Sequence, residues 1–160
     1  MVTNHLRKFC AMQRFCYASI LFYICSLTAC SSSENVPRGP QSQARHDAFI
    51  QMMPHYTNMV QMANGTKNYD KKTFIALVET FQSASHTPFE YFASSENQTN
   101  GRTKEAVWSN PQEFKQRQNE FFASVKLLQD SAQHHSLSQI KTSLQLVEQQ
   151  CMACHAQFRK

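Results

Sequence analysis

Residues 136–160 read SLSQIKTSLQLVEQQCMACHAQFRK. Ile140, Leu144, Val147, Cys151, Cys154 and Phe158 recur there at steps of three and four, the spacing of one face of an α-helix. The stretch predicts a helix starting near 136–138 whose core-facing stripe carries two cysteines. Those cysteines belong to Cys151-Met152-Ala153-Cys154-His155, a C-x-x-C-H run that is the attachment signature of a c-type haem. Each thiol can form a thioether to the macrocycle, and His155 is then held under the iron as an axial ligand. One covalent haem c is therefore expected, with its redox and ligand chemistry tuned by the axial ligands and the pocket. Both cysteines face the core, so the macrocycle should sit inside the fold near one end.

Working back along the chain, three more amphipathic helices are expected. The first, near 44–64, puts Phe49, Met52, Met53, Tyr56, Met59, Val60 and Ala63 on one face and stops at Gly65. Pro54 lies inside it, where proline deletes a backbone bond and clashes with the preceding turn, so a kink or break is expected. The second starts at Asp70 as N-cap and carries Phe74, Leu77, Val78 and Phe81, with Pro88 beyond its end. Residues 89–103 read as a long loop with an aromatic cluster. Asn110-Pro111 opens the third helix, which carries Phe114, Phe121, Val125 and Leu128. No segment shows the period of two that strands need. The fold class is all-α, an antiparallel four-helix bundle with a covalently attached haem near one end.

The start of the chain speaks to location. Residues 1–14 carry Arg7, Lys8 and Arg14 without an acid, and an apolar run follows from Phe15 to Ala29. That run is too short to span a membrane comfortably and sits where a signal peptide belongs. It ends in Leu27-Thr28-Ala29-Cys30, which resembles the lipobox of bacterial lipoproteins. Residues 1–29 are thus expected to be a removed leader, Cys30 to carry lipid, 30–43 to be a flexible tether, and 44–160 to be the bundle. The expected location is periplasmic and lipid-anchored, the outer membrane favoured over the inner. Of six cysteines, Cys10, Cys16 and Cys25 fall in the leader. Lipid and haem then account for the other three, and no thiol remains for a disulfide.

The net charge of +5 includes the leader's three basic residues. Without them the excess is about +2, and no basic stripe with interleaved aromatics appears, so nucleic acid is not expected as a partner. No acid–base pair, nucleophile or substrate cleft stands out, and an enzyme is not expected.

Four local features resemble the class II c-type cytochromes, the cytochrome c′ group. Arg45 opens a Met-rich helix that closes at Gly65. Pro88-Phe89-Glu90-Tyr91-Phe92 is similar to the family's P-W-x-x-F. Trp108-Ser109 leads into Phe114-Lys115-Gln116-Arg117-Gln118, and the chain ends with Cys151 to His155 followed by Phe158-Arg159. The resemblance covers roughly 44–160. It implies that His155 is the proximal iron ligand, that Arg159 lies near that face of the haem, and that Arg45 lies near the propionates. It also implies that position 49 covers the distal face, where low-spin members have a ligating Met and high-spin members an apolar residue. Phe49 cannot ligate. Five-coordinate iron is the expectation, in an apolar distal pocket that admits nitric oxide or carbon monoxide. Three departures are visible: His46 where Gln is common, Phe89 where Trp is usual, and Pro54 where small residues are typical. Relatives often pair through their first two helices, which makes a homodimer one expected assembly.

Other readings of the same residues exist. A low-spin electron carrier, exchanging electrons with redox partner proteins, would need Met52, Met53, Met59 or Met62 as sixth ligand. These are otherwise core filling or helix surface. His46 and His55 read as rim or surface residues, and His134-His135 as part of the last interhelical loop. A zinc site using Cys151, Cys154, His155 and a further histidine is the remaining metal alternative. A thioredoxin-like C-x-x-C lacks its strand context.

Overall fold

The computed structural model describes residues 38–92 and 101–160. The expected leader, Cys30 and the tether as far as residue 37 lie outside the described residues. Four long helices, α1 (Pro40–Ala63), α2 (Lys71–Glu90), α4 (Pro111–His134) and α5 (Leu137–Phe158), are joined by one short turn, α3 (Ala106–Ser109). Helix α1 packs on α2, α4 on α5, α2 on α4, and α1 on α5, which closes an antiparallel four-helix ring. Among the described residues no helix is long and apolar enough to cross a membrane.

Local chemistry sets most of the boundaries. Asp70 caps α2 by accepting from the Thr73 N–H at 2.8 Å. Ser136 and Gln139 form a reciprocal capping box at the start of α5. Gly65, at φ +85°, follows the last turn of α1 in the left-handed conformation that glycine tolerates.

Several expectations are corrected. Helix α1 begins at Pro40 rather than Ala44, with Pro40 in its first turn. Its opening turn is polar, so periodicity could not reveal it, yet Ser42 and Arg45 are buried. The helix also runs unbroken past Pro54. The proline sits on the exposed side, while Met52 and Met59 on either side are 3% and 0% exposed and hold both halves against the core. Met53, placed on the core face above, is 45% exposed. Pro88 lies inside the last turn of α2 rather than beyond it, with its ring fully buried. Phe89 is consequently helical, and its ring meets those of Phe49, Phe92, Phe114, Phe121 and Phe122 at 5.2–6.1 Å between centroids. Asn110 precedes α4 without a side-chain cap bond, and His134 closes that helix instead of lying in a loop.

The core runs along the bundle axis. Phe74, Val78, Phe81, Val125, Leu128, Ile140 and Val147 are all at most 1% exposed, and each contributes about 1.5–3 kcal/mol by leaving water. Where α4 and α5 approach, the hydroxyls of Ser131 and Ser143 hydrogen-bond at 2.7 Å and satisfy each other out of water. The stripe of α5 stays buried through Val147 and becomes half-buried at Cys151 and Cys154. The packing opens there.

Candidate functional site

An up-down-up-down ring brings the start of α1, the end of α2, the start of α4 and the end of α5 to one end. They enclose a cavity of about 280 Å³. From α5 come Cys154, His155 and Phe158, with Arg159 just after it; from α1 come Arg45, His46, Phe49 and Met53; Phe89, Phe92 and Phe114 supply aromatic lining. Six anticipated residues therefore share one cavity: Arg45, His46, Phe49, Cys154, His155 and Arg159. Cys151 stands one turn before Cys154 and packs against the core cluster. Residues three apart on a helix present Cβ atoms roughly 5–6 Å apart on one face, so both thiols can address one bound group.

Burial shapes the chemistry of these donors. The Cys151 thiol is pushed up to about 11, first by loss of water and then by Cys154 and Glu148. Burial also raises the Cys154 thiol, against the opposing charge of Arg117. Both are thus held as neutral thiols until they react. Burial, and then the charge of Arg159, lower the pKa of His155. The neutral imidazole this favours is the form with a free ring lone pair.

Arg45 is the most buried charge at the site, at 5% exposed. Its Nη1 donates to the Tyr91 carbonyl at 2.9 Å and its Nη2 to Thr103 Oγ1 at 3.0 Å, and the guanidinium lies 4.6 Å over the Phe92 ring. Burial lowers its pKa, but a guanidinium remains charged. Both terminal nitrogens are thus committed to the two ends of the segment between α2 and α3. His46 lies at the rim and pairs through Nδ1 with Asp47 Oδ1 at 3.0 Å.

Periodicity missed Arg38, Arg102 and Thr103, which also line the cavity. Arg38 fell in the expected tether and the other two in the expected loop, where no pattern marks them. A signal for Arg102 existed in the preceding glycine. Gly101 adopts φ +79°, and a Cβ there would collide with the Ser42 hydroxyl, so only glycine brings this segment onto α1. Arg38, Arg102 and Arg159 have no hydrogen-bonding or ion-pair partner for their guanidinium groups among the described residues.

The residues present fit a covalently held haem. Two thiols lie one turn apart, the next residue is an imidazole whose neutral form burial favours, five phenylalanines line the slot, and guanidiniums at the rim suit carboxylates. Among the described residues no carboxylate lines the cavity. Among the described residues no three His, Cys, Asp or Glu side chains converge as a metal-binding group. The histidines expected in the last loop instead approach Asp130, His134 at 3.9 Å and His135 at 3.4 Å.

Comparison with known proteins agrees with this geometry. The profile of the family described as Cytochrome C′ matches residues 41–159. Cytochrome c′ of Alcaligenes xylosoxydans is 28% identical over 116 residues, covering 72% of this chain and 90% of the relative. Cytochrome c′ of Rubrivivax gelatinosus is 26% identical over 123 residues, 76% of this chain and 95% of the relative. The crystal structure of the Rubrivivax protein superposes with a TM-score of 0.70 at 26% identity, covering 76% and 96% of the two chains. A nitric oxide complex of a mutant cytochrome c prime from Alcaligenes xylosoxidans gives a TM-score of 0.71 at 27% identity, covering 75% and 93%.

Proposed function

The chain belongs to the cytochrome c′ family, and we propose that within it this protein is a five-coordinate gas-binding haem protein tethered to a bacterial membrane. Proteins of this family carry covalently bound haem c, so this is a c-type haem protein. In the proposed arrangement Cys151 and Cys154 would hold the haem, and His155 would donate to its iron. The group supplies an iron that takes up small ligands and exchanges single electrons. The chain's own residues decide what reaches it.

The observation that carries the reading is that Phe49 and His155 line one cavity. Phenylalanine has no lone pair to offer a metal, so Phe49 would act by bulk, restricting what reaches an iron bound in the cavity. The phenylalanine-lined part of the slot offers an ion nothing to replace its hydration. Nitric oxide and carbon monoxide, being neutral, lose little on entering. The nitric oxide complex of a similar cytochrome c prime supports gas binding as the role. Arg38, Arg102 and Arg159 suit the propionate carboxylates, with Arg45 behind them holding the cavity wall. Cys30, with its serine-rich follow-on, supports a lipid anchor facing the periplasm.

A second reading rests on Met53, whose thioether belongs to a residue lining the same cavity. Ligation by Met53 would make a low-spin electron carrier. An absorption spectrum of the ferrous protein separates the two. We expect a high-spin spectrum that changes on adding nitric oxide or carbon monoxide. A spectrum that is low-spin without added ligand, and becomes high-spin in Met53→Ala, would replace the first reading with the second.

A further inference from the structure

The last turn of α5, which carries His155, is completed by residues from a distant part of the chain. The final four carbonyls of a helix have no partner within it. In α5 the His155 carbonyl accepts from the Arg159 N–H at 2.9 Å. The Ala156 carbonyl accepts from Lys104 Nζ at 2.9 Å, and the Phe158 carbonyl from the Lys104 main-chain N–H at 2.8 Å. One residue thus satisfies two of the four, and its ammonium sits where the helix dipole favours a cation. The contact is continued by an antiparallel bridge between Thr103 and Arg159 and by the Lys160 N–H donating to the Arg102 carbonyl at 2.7 Å.

Thr103 is itself fixed from the other side. Its hydroxyl accepts from Arg45 Nη2, and Arg45 lies one turn before Phe49 on α1. A continuous strap therefore runs from buried Arg45 through Thr103 and Lys104 to the carbonyl of the residue after His155. We propose that Lys104 and Thr103 are positioning residues for His155, an external cap that locks the last turn of α5 and sets its imidazole relative to the helix bearing Phe49. Without the strap, the turn would fray as free helix ends do, and the imidazole would sample several orientations. The proposal rests on His155 being the axial donor.

The test uses the full-length, haem-loaded protein and two conservative pairs. Lys104→Met removes the ammonium but keeps the stem and the main-chain N–H, and Lys104→Arg restores the charge. Thr103→Val removes the acceptor for Arg45 with little change of shape, and Thr103→Ser restores it. The first readout is amide hydrogen exchange at 155–159. In Lys104→Met it should be roughly two- to five-fold faster, the fold-change expected for losing a cation at a helix C-terminus. The second is the iron–imidazole stretching band in the resonance Raman spectrum of the ferrous protein. It should shift or broaden in Lys104→Met and Thr103→Val and return in Lys104→Arg and Thr103→Ser. Faster exchange with an unmoved band would reduce the strap to a helix cap and overturn the positioning role, as would wild-type behaviour in both readouts. An unchanged visible spectrum in His155→Ala would overturn the axial assignment underneath, a result separate from the exchange data.

Discussion

Replacing Phe49 by alanine should open the gate to the iron, and the size of the effect follows from what Phe49 must do to let a ligand in. Its ring meets Phe89 edge-on, with centroids 6.0 Å apart and planes at 73°. Giving up such a contact costs about 0.5–1.5 kcal/mol. Tilting the ring away from its rotamer costs about another 0.5–1.5 kcal/mol. The gate therefore adds about 1–3 kcal/mol to the entry barrier, and at about 1.36 kcal/mol per decade its removal should speed carbon monoxide association roughly 5- to 160-fold. Flash photolysis of the ferrous carbon monoxide complex measures this rate directly. Ile50 also lines the cavity but is 56% exposed, so Ile50→Ala should rebind at the wild-type rate. The variant should also lose about 2 kcal/mol of stability, less than the about 3–5 kcal/mol of a fully buried phenylalanine, because Phe49 is only partly buried. A wild-type association rate in Phe49→Ala, or an equal acceleration in Ile50→Ala, would refute the assignment of Phe49 as the gate.

Further outcomes are expected. Changing Cys151 and Cys154 together to alanine should make the haem extractable with acid–acetone, whereas covalent haem surviving in that variant would contradict the attachment scheme. Cys30→Ala should leave the protein unlipidated, either soluble in the periplasm or held by an uncleaved leader; mass spectrometry finding an unmodified mature N-terminus elsewhere in the wild type would remove the basis for an anchor. The Tyr56 phenol is pushed up to about 12 by burial, aided by Glu148 and Cys151. Its folded value exceeds the unfolded value of about 10, so its contribution is complete below pH 10 and is lost as pH rises toward 12. Tyr56→Phe should accordingly raise the midpoint of alkaline unfolding followed by circular dichroism, and an unchanged midpoint would speak against this. Gly65 and Gly101 share a positive φ, but a Cβ at Gly65 meets open space and one at Gly101 meets the Ser42 side chain. Asparagine, which tolerates the left-handed region, should be accepted at 65 and should lower the urea midpoint at 101; equal midpoints would mean that the 101 segment is free to move off α1.

What could be read without coordinates was whatever is written in a local repeat or a local motif. The three-and-four spacing from Ile140 to Phe158 identifies α5 and its buried face, because a helix repeats every 3.6 residues regardless of its neighbours. The C-x-x-C-H run could be read as a haem-attachment signature because two thioethers and an axial imidazole need donors at that spacing. Asp70 could be read as a cap because capping bonds reach only two or three residues. The same locality explains the misreadings. The first turn of α1 is polar and its burial comes from other elements, so Pro40 to Gln43 looked like tether. Pro54 and Pro88 looked like punctuation, yet one is carried on the solvent side between two buried methionines and the other is buried in the last turn of α2.

By itself, then, the sequence determined four amphipathic helices, the family they resemble, and the pair of thiols with the imidazole beside them. Tertiary structure alone decided which far-apart residues share the cavity. Arg38 and Arg102 reach it because antiparallel packing brings four helix ends together, and Gly101 permits the close approach that delivers Arg102. The hydrogen-bond partners of Arg45 were decided the same way. Its two terminal nitrogens bond to Tyr91 and Thr103, 46 and 58 residues along the chain. No periodicity encodes contacts across such separations. They arise when the bundle closes and a buried guanidinium must find acceptors among the groups that packing has put beside it.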